Sequence, residues 1–245
     1  MIWGSVVDAF DSFDPDTEGD SGPISRSLGV GPIDQINWLF SAQGLLLGGD
    51  LYEYVCRASV LDEPMTPTSF SVKATSSQGS AGVVPARVGT FPAFVNRTGM
   101  RVYQSEVKSG AADLSLANLC ALVPEIGDPE IVRLAVQRQP DTRIHAVRSD
   151  GTVALCVLDK AEDVIGWCEV ESETLAGQSY VEDVVVLPAQ PGVQDDYVYY
   201  VVRREVDGET VRYLEKWAQA QNTRGGVGLA GDEVPFQAFT GFEVS

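Results

Sequence analysis

Four tight turns, at Gly49-Asp50, Thr98-Gly99, Asp150-Gly151 and Asp207-Gly208, recur at intervals of roughly 50 residues, each set between short strand-like segments. An interval of that length holds one small antiparallel sheet and little else, so the recurrence constrains the fold more than any single motif. The segments before the turns, residues 36–40 and 45–47, 91–95, 143–148 and 197–203, are short, apolar and rich in β-branched or aromatic side chains, which suit a pleated surface. Asp-Gly is the strongest two-residue hairpin signal because both central residues must accept positive φ. Asp150-Gly151 and Asp207-Gly208 supply it, predicting hairpins over 143–158 and 197–213. The predicted fold is all-β, a propeller-like array of about four antiparallel blades.

Composition narrows the class. The 245 residues can bury a sizeable core, and 44% apolar with 21% charged residues excludes a disordered chain. No apolar run approaches the roughly 18 residues that span a membrane. Met1-Ile2-Trp3-Gly4-Ser5 lacks the basic and apolar regions of a signal peptide, so the expectation is a soluble chain folding in a reducing cytoplasm, with no membrane partner. The net charge of −18 promotes solubility, and it repels phosphate, which argues against tight nucleic-acid binding. Cys56, Cys120, Cys156 and Cys168 are scattered without CxxC spacing and read as buried free thiols. A zinc cage would need more than the single histidine, and His145, alternating with its apolar neighbours, reads as a sheet residue. No cofactor or metal is expected.

Along the chain, residues 1–7 read as a strand without its partner. The acidic loop 8–23 follows, with Asp8, Asp11, Asp14, Asp16, Glu18 and Asp20 among Phe10 and Phe13. Asp14-Pro15-Asp16-Thr17-Glu18-Gly19 matches the first half of a calcium loop, but Ser25 stands where the bidentate glutamate belongs, which favours a solvated turn-rich loop. Phe10 and Phe13 are expected to pin that loop to its sheet. Residues 61–67 form a Pro-containing connector to a strand over 69–75 with Phe70, Val72 and Ala74 on one face, and residues 76–82 suit a close backbone approach or a flexible loop. Residues 114–123 fit a short helix or a turn ending at Pro124. Four strands at 131–136, 143–148, 152–158 and 164–170 have the content of one blade, and 184–187, 197–203 and 211–217 add three more. Trp38, Trp167 and Trp217 fall in strands of different repeats, where aromatics fill the space between sheets. The array thus occupies 1–217. Residues 218–245, rich in Gly and Gln, read as a loosely ordered tail whose Phe236, Phe239 and Phe242 seek a surface.

Catalytic patterns are weak. Ser149-Asp150-Gly151-Thr152 resembles part of the sialidase Asp-box but lacks its aromatic residue and occurs once. His145 has no nucleophile elbow to serve, and no Lys-Ser/Thr follows Gly225-Gly226-Val227-Gly228. The 35 acidic residues always offer some carboxylate pair, and none is singled out. No enzyme is expected.

A series of stretches in order is similar to a family of phage and prophage tail proteins: Asn37-Trp38-Leu39, Leu46-Leu47-Gly48-Gly49, LDEPMTPT at 61–68, SQGSA at 77–81, Phe94 to Arg97 with Gly99, Asp113-Leu114-Ser115-Leu116, LAVQRQP at 134–140, VRSDGTV at 147–153, Gly166-Trp167, VEDVVVLP at 181–188, Val201 to Arg204 with Asp207-Gly208, and RYLE at 212–215. The family is that of the β-propeller nozzle or hub proteins of short-tailed phages, the tail tubular protein B and DNA-stabilisation type. The resemblance implies a virion tail component, made in the bacterial cytoplasm, that assembles with its own copies and with neighbouring tail or connector proteins into a ring sealing or conducting packaged DNA. DNA would pass an acidic channel without adhering. Family members are longer, so the resemblance implies further β structure on both sides and an incomplete propeller here, with loops such as 8–23 and 61–82 meeting neighbouring subunits. The alternative is a glycan-binding or glycan-cleaving receptor-recognition component, whose signature is exposed aromatics beside paired carboxylates.

Overall fold

The computed structural model describes residues 1–28, 34–42, 44–59, 63–107, 114–170, 179–218 and 242–244. Among them the chain is all-β, with eighteen strands, one 3-10 turn (Pro124–Gly127) and no α-helix. Strands β1 (Ile2–Gly4) and β2 (Ile24–Arg26) pair antiparallel. Four four-stranded sheets follow. The first is β3 (Ile36–Ser41), β4 (Leu45–Gly49), β5 (Glu53–Ala58) and β6 (Phe70–Ser76), and the second β7 (Ala86–Val88), β8 (Phe91–Val95), β9 (Val102–Val107) and β10 (Leu114–Asn118). The third is β11 (Ile131–Gln137), β12 (Arg143–Arg148), β13 (Val153–Asp159) and β14 (Val164–Val170), and the fourth β15 (Tyr180–Leu187), β16 (Tyr197–Val206), β17 (Glu209–Trp217) and β18 (Phe242–Val244). Spatial order equals chain order in every sheet, so each is an antiparallel meander.

Contacts divide the chain into two units. One comprises Met1–Pro85, Gly89–Thr98 and Tyr103–Ala117; the other comprises Ala86–Val88, Gly99–Val102 and Asn118–Ser245. In the first unit, alternation along β3 to β6 sorts apolar side chains to both faces of the sheet. Trp38 and Leu46 pack against Phe94 of β8, with Tyr103, Leu114 and Leu116 around them. The Trp38 and Phe94 rings lie 5.3 Å apart, and Trp38 lies flat on Gly48, where any Cβ would collide with its indole. Leu47, Tyr54 and Cys56 fill the opposite face with Phe70, Val72 and Ala74, covered in part by Ile2 and Leu28. Each full burial of a side chain of this size stabilises by about 1.5–3 kcal/mol.

In the second unit the third and fourth sheets share a core. Val147 and Val153 pack on Val181, Val198, Tyr200 and Val202, with Trp217 at the margin. A second tie is polar. The Asp196 carboxylate, in the β15–β16 loop, accepts the backbone N–H groups of Arg138 (2.8 Å) and Gln139 (3.1 Å) after β11, and of Ala189 (2.9 Å) in its own loop.

Several expectations are corrected. Residues 1–7 do have a strand partner, β2, which the acidic stretch before it obscures. Residues 114–123 begin as strand β10, not helix: an N-terminal apolar run of five residues is too short for periodicity to decide. The pattern does not end at Trp217, because Phe242–Val244 pairs with β17. The remainder of the expected tail, beyond Ala218, lies outside the described residues, as do Leu61 and Asp62 of the 61–67 connector and Asp113.

Candidate functional site

The four repeated turns join the second and third strands of the four sheets, but their chemistry differs. At Asp207-Gly208 both residues have positive φ, 54° and 81°, between the paired Val206 and Glu209. This is the geometry of a two-residue type I′ turn. The Asp150-Gly151 turn is not of that kind: Arg148 N–H donates to the Thr152 carbonyl (2.9 Å), leaving a three-residue loop in which Gly151 alone has positive φ, 82°. Asp150 instead caps the loop, accepting the Thr152 N–H (2.9 Å) and hydroxyl (2.5 Å). Burial works against ionisation there, yet those bonds and Arg148 hold the Asp150 pKa below its usual range. At the first repeat Gly49 closes β4 and the turn lies one residue later, at Asp50-Leu51, with Gly49 N–H bonded to the Tyr52 carbonyl. Gly49 abuts the Asp34 carboxylate, which accepts the N–H groups of Leu51 and Tyr52 and the Tyr54 hydroxyl. At the second, Gly99 has φ 79° and accepts the Ile131 N–H at its carbonyl (2.8 Å).

The tryptophans serve different neighbours. Trp38 is buried beside Phe94. Trp167 is half-buried and donates from Nε1 to the Leu119 carbonyl (2.7 Å). Trp217, also half-buried, meets the His145 ring at 5.4 Å and the Tyr200 ring at 5.8 Å.

His145 is wholly buried and central to a polar chain in the second unit. Its Nε2 faces Gln137 Oε1 (3.3 Å), an acceptor, so Nε2 carries the proton and Nδ1 accepts the Tyr200 hydroxyl (2.5 Å). Gln137 Nε2 then donates to the Gln139 carbonyl (2.7 Å). Burial, aided by Arg143, pushes the His145 pKa down to about 3, and burial pushes that of Tyr200 up. The imidazole is held neutral. Glu215, fully buried on β17, pairs with Arg204 at 2.7 Å, and Arg148 pairs with Glu169 at 2.7 Å. In the first unit buried Glu53 accepts the Ser80 hydroxyl (2.8 Å), and desolvation raises its pKa. Sequence reasoning missed these buried charges, for which a carboxylate at an inward position of an alternating strand, as in YLEKW, is the available signal.

Cys56, Cys120 and Cys156 are buried free thiols, with burial pushing those of Cys56 and Cys156 up to about 12. Cys168 is the correction: it is exposed, because β14 is an edge strand with most side chains in solvent. The expected anchoring of the acidic loop is also overturned. Its backbone folds on itself through Val6 N–H to the Ser12 carbonyl and Val7 N–H to the Ser21 carbonyl, but Phe10 is 85% exposed and Phe13 48%. Asp14 accepts the Asp16 N–H, and among the described residues no group of three or more His, Cys, Asp or Glu is arranged to hold a metal ion. Nor, among them, is any helix long and apolar enough to cross a membrane. No protein-family model matches the chain, and no curated protein matches it.

Proposed function

We propose that this protein is a structural component of a phage tail, of the nozzle or hub type, whose four meander sheets form a propeller-like array and whose copies join in a ring that seals or conducts packaged DNA. One observation carries the reading. The four sheets each turn between second and third strand at the recurring positions, and the ordered series of stretches resembling the tail family runs through all four. The net charge of −18 suits a wall past which DNA slides, because phosphate gains nothing by dwelling there. In this reading no residue is catalytic, and the turns and surface loops carry the mechanical role. The glycan-recognition alternative loses its best contacts, since Trp38 is buried and Trp167 and Trp217 are engaged with Leu119 and with His145 and Tyr200.

Mass spectrometry of purified phage particles from a host carrying this gene tests the assignment, with the chain expected in stoichiometric amount in the tail. Its absence from particles, or duplex DNA binding at physiological salt in a gel-shift assay, would refute the role.

A further inference from the structure

We infer that Asp207 is a site of spontaneous covalent modification: its side chain condenses with the backbone nitrogen of Gly208 and the residue converts to isoaspartate, while Asp150, in the same dipeptide, is protected by the fold. The conversion is independent of any role in a tail.

The reaction needs only the chain and water. The amide nitrogen of the residue after an aspartate attacks the side-chain carboxyl carbon in its protonated form. A nitrogen–Cγ bond forms, one water leaves, made of the carboxyl hydroxyl and the amide proton, and a five-membered succinimide results. One water then adds back. Opening between Cγ and nitrogen restores aspartate, whereas opening at the original peptide carbonyl leaves the chain running through the side chain, one methylene longer and unchanged in mass. A following glycine favours closure because no Cβ obstructs the ring. The sequence holds two Asp-Gly steps, Asp150-Gly151 and Asp207-Gly208, and no Asn-Gly.

Closure requires a carboxyl group free to turn, an unengaged amide nitrogen and a backbone able to rotate. Asp150-Gly151 lacks all of these. Its carboxylate accepts the N–H (2.9 Å) and hydroxyl (2.5 Å) of Thr152, Gly151 N–H donates to the Arg148 carbonyl (3.0 Å), and Gly151 is buried against the Tyr180 ring. Burial opposes ionisation of Asp150, but the Thr152 bonds and Arg148 outweigh it and keep its pKa below the ordinary range, which depletes the protonated form that reacts.

Asp207-Gly208 is open on every count. Among the described residues neither the Asp207 carboxylate nor the Gly208 N–H takes part in a hydrogen bond or ion pair. Residues 205–210 are all exposed, and nothing lies within 4 Å of the place a Gly208 Cβ would occupy. Asp207 has φ 54°, in the left-handed region that residues other than glycine occupy at a cost, so rotation toward the ring leaves a strained conformation. The lengthened product cannot keep a two-residue turn. Val206 then no longer faces Glu209, and the bond from the Thr210 hydroxyl to Glu205 (2.7 Å) opens, while the Arg204–Glu215 pair further down the hairpin holds.

The test ages the full wild-type chain at mildly acidic pH, folded and, in parallel, unfolded in guanidinium chloride. Isoaspartate is counted by an isoaspartate-specific carboxyl methyltransferase with a labelled methyl donor, and located by fragmentation of tryptic peptides. Unfolded, both steps should isomerise at like rates. Folded, Asp207 should react and Asp150 should lag on the order of a hundredfold, because three bonds must open at Asp150-Gly151 and each contributes about fivefold. Thr152→Val, which removes the hydroxyl bond, should speed Asp150 by about fivefold. Asp207→Glu should abolish the label at its peptide, since the longer side chain does not form the five-membered ring. Equal rates at the two steps in the folded chain, a faster Asp150, or an Asp207 that reacts only in denaturant would each overturn the proposal.

Discussion

Acidification should loosen this protein through one residue before its carboxylates titrate. His145 is the only histidine, is wholly buried, and already uses both ring nitrogens as a neutral imidazole. An unfolded chain protonates it near pH 6.5, whereas the folded chain refuses the proton down to about pH 3. Below 6.5 the unfolded state therefore binds more protons, and stability falls as pH falls across that window. At about 1.4 kcal/mol per pH unit, the loss between pH 7 and pH 5 comes to about 2 kcal/mol. Glu53 acts with the opposite sign: its folded pKa is raised, so its contribution is fully present below the unfolded value and is lost as pH rises through the folded one. Comparing the wild type with His145→Asn cancels that contribution. Urea unfolding followed by tryptophan fluorescence at several pH values should show the variant less stable at pH 7, with the gap narrowing by about 2 kcal/mol at pH 5. A gap that does not narrow, or an imidazole NMR signal titrating near pH 6.5 in the folded protein, would refute the reasoning.

Three further outcomes follow from the geometry. Gly151→Ala should cost about 2–4 kcal/mol, from positive φ and from a Cβ placed 2.5 Å from the Tyr180 ring, whereas Gly208→Ala, with equal φ but open space, should cost about 1 kcal/mol; equal urea midpoints would contradict this. Asp196→Ala removes an acceptor shared by three backbone N–H groups and should cost about 2 kcal/mol at pH 7, measured by denaturant unfolding. Burial opposes ionisation of Asp196, yet those bonds lower its folded pKa, so its contribution should fade as pH falls through that lowered value. A thiol reagent should label Cys168 alone in the native protein and all four cysteines in urea; fast native labelling of Cys56, Cys120 or Cys156 would contradict their burial.

Much of the architecture could be read from local chemistry. Strands β11 to β14 lie within a residue or two of the predicted segments, because β-branched runs alternate cleanly between turn residues there. What escaped was decided by distant partners. Nothing local in Ile24-Ser25-Arg26 marks it as the mate of Ile2-Trp3-Gly4. Asp150-Gly151 carries the same dipeptide as Asp207-Gly208, yet Arg148 and Thr152 close the ladder one residue wider and select a different turn. Phe10 and Phe13 look like anchors in any sequence reading, since an aromatic ring costs free energy in water wherever it is left exposed. Likewise β15 runs Val184-Val185-Val186-Leu187, apolar on both faces, which local patterning equates with a strand covered on both sides.

The meander order has a consequence for how the protein is made. Every strand in the four sheets pairs only with strands adjacent to it in the chain, and most of those pairings close over a loop of a few residues. Such local closures cost little chain entropy and form quickly. A ribosome delivering residues from the N-terminus therefore completes the first sheet before the second is synthesised, and no strand of an earlier sheet must wait for one from a later sheet. Folding can keep pace with translation, and among the described strands the last to find its place is β18, which must join β17 from across residues 218–241.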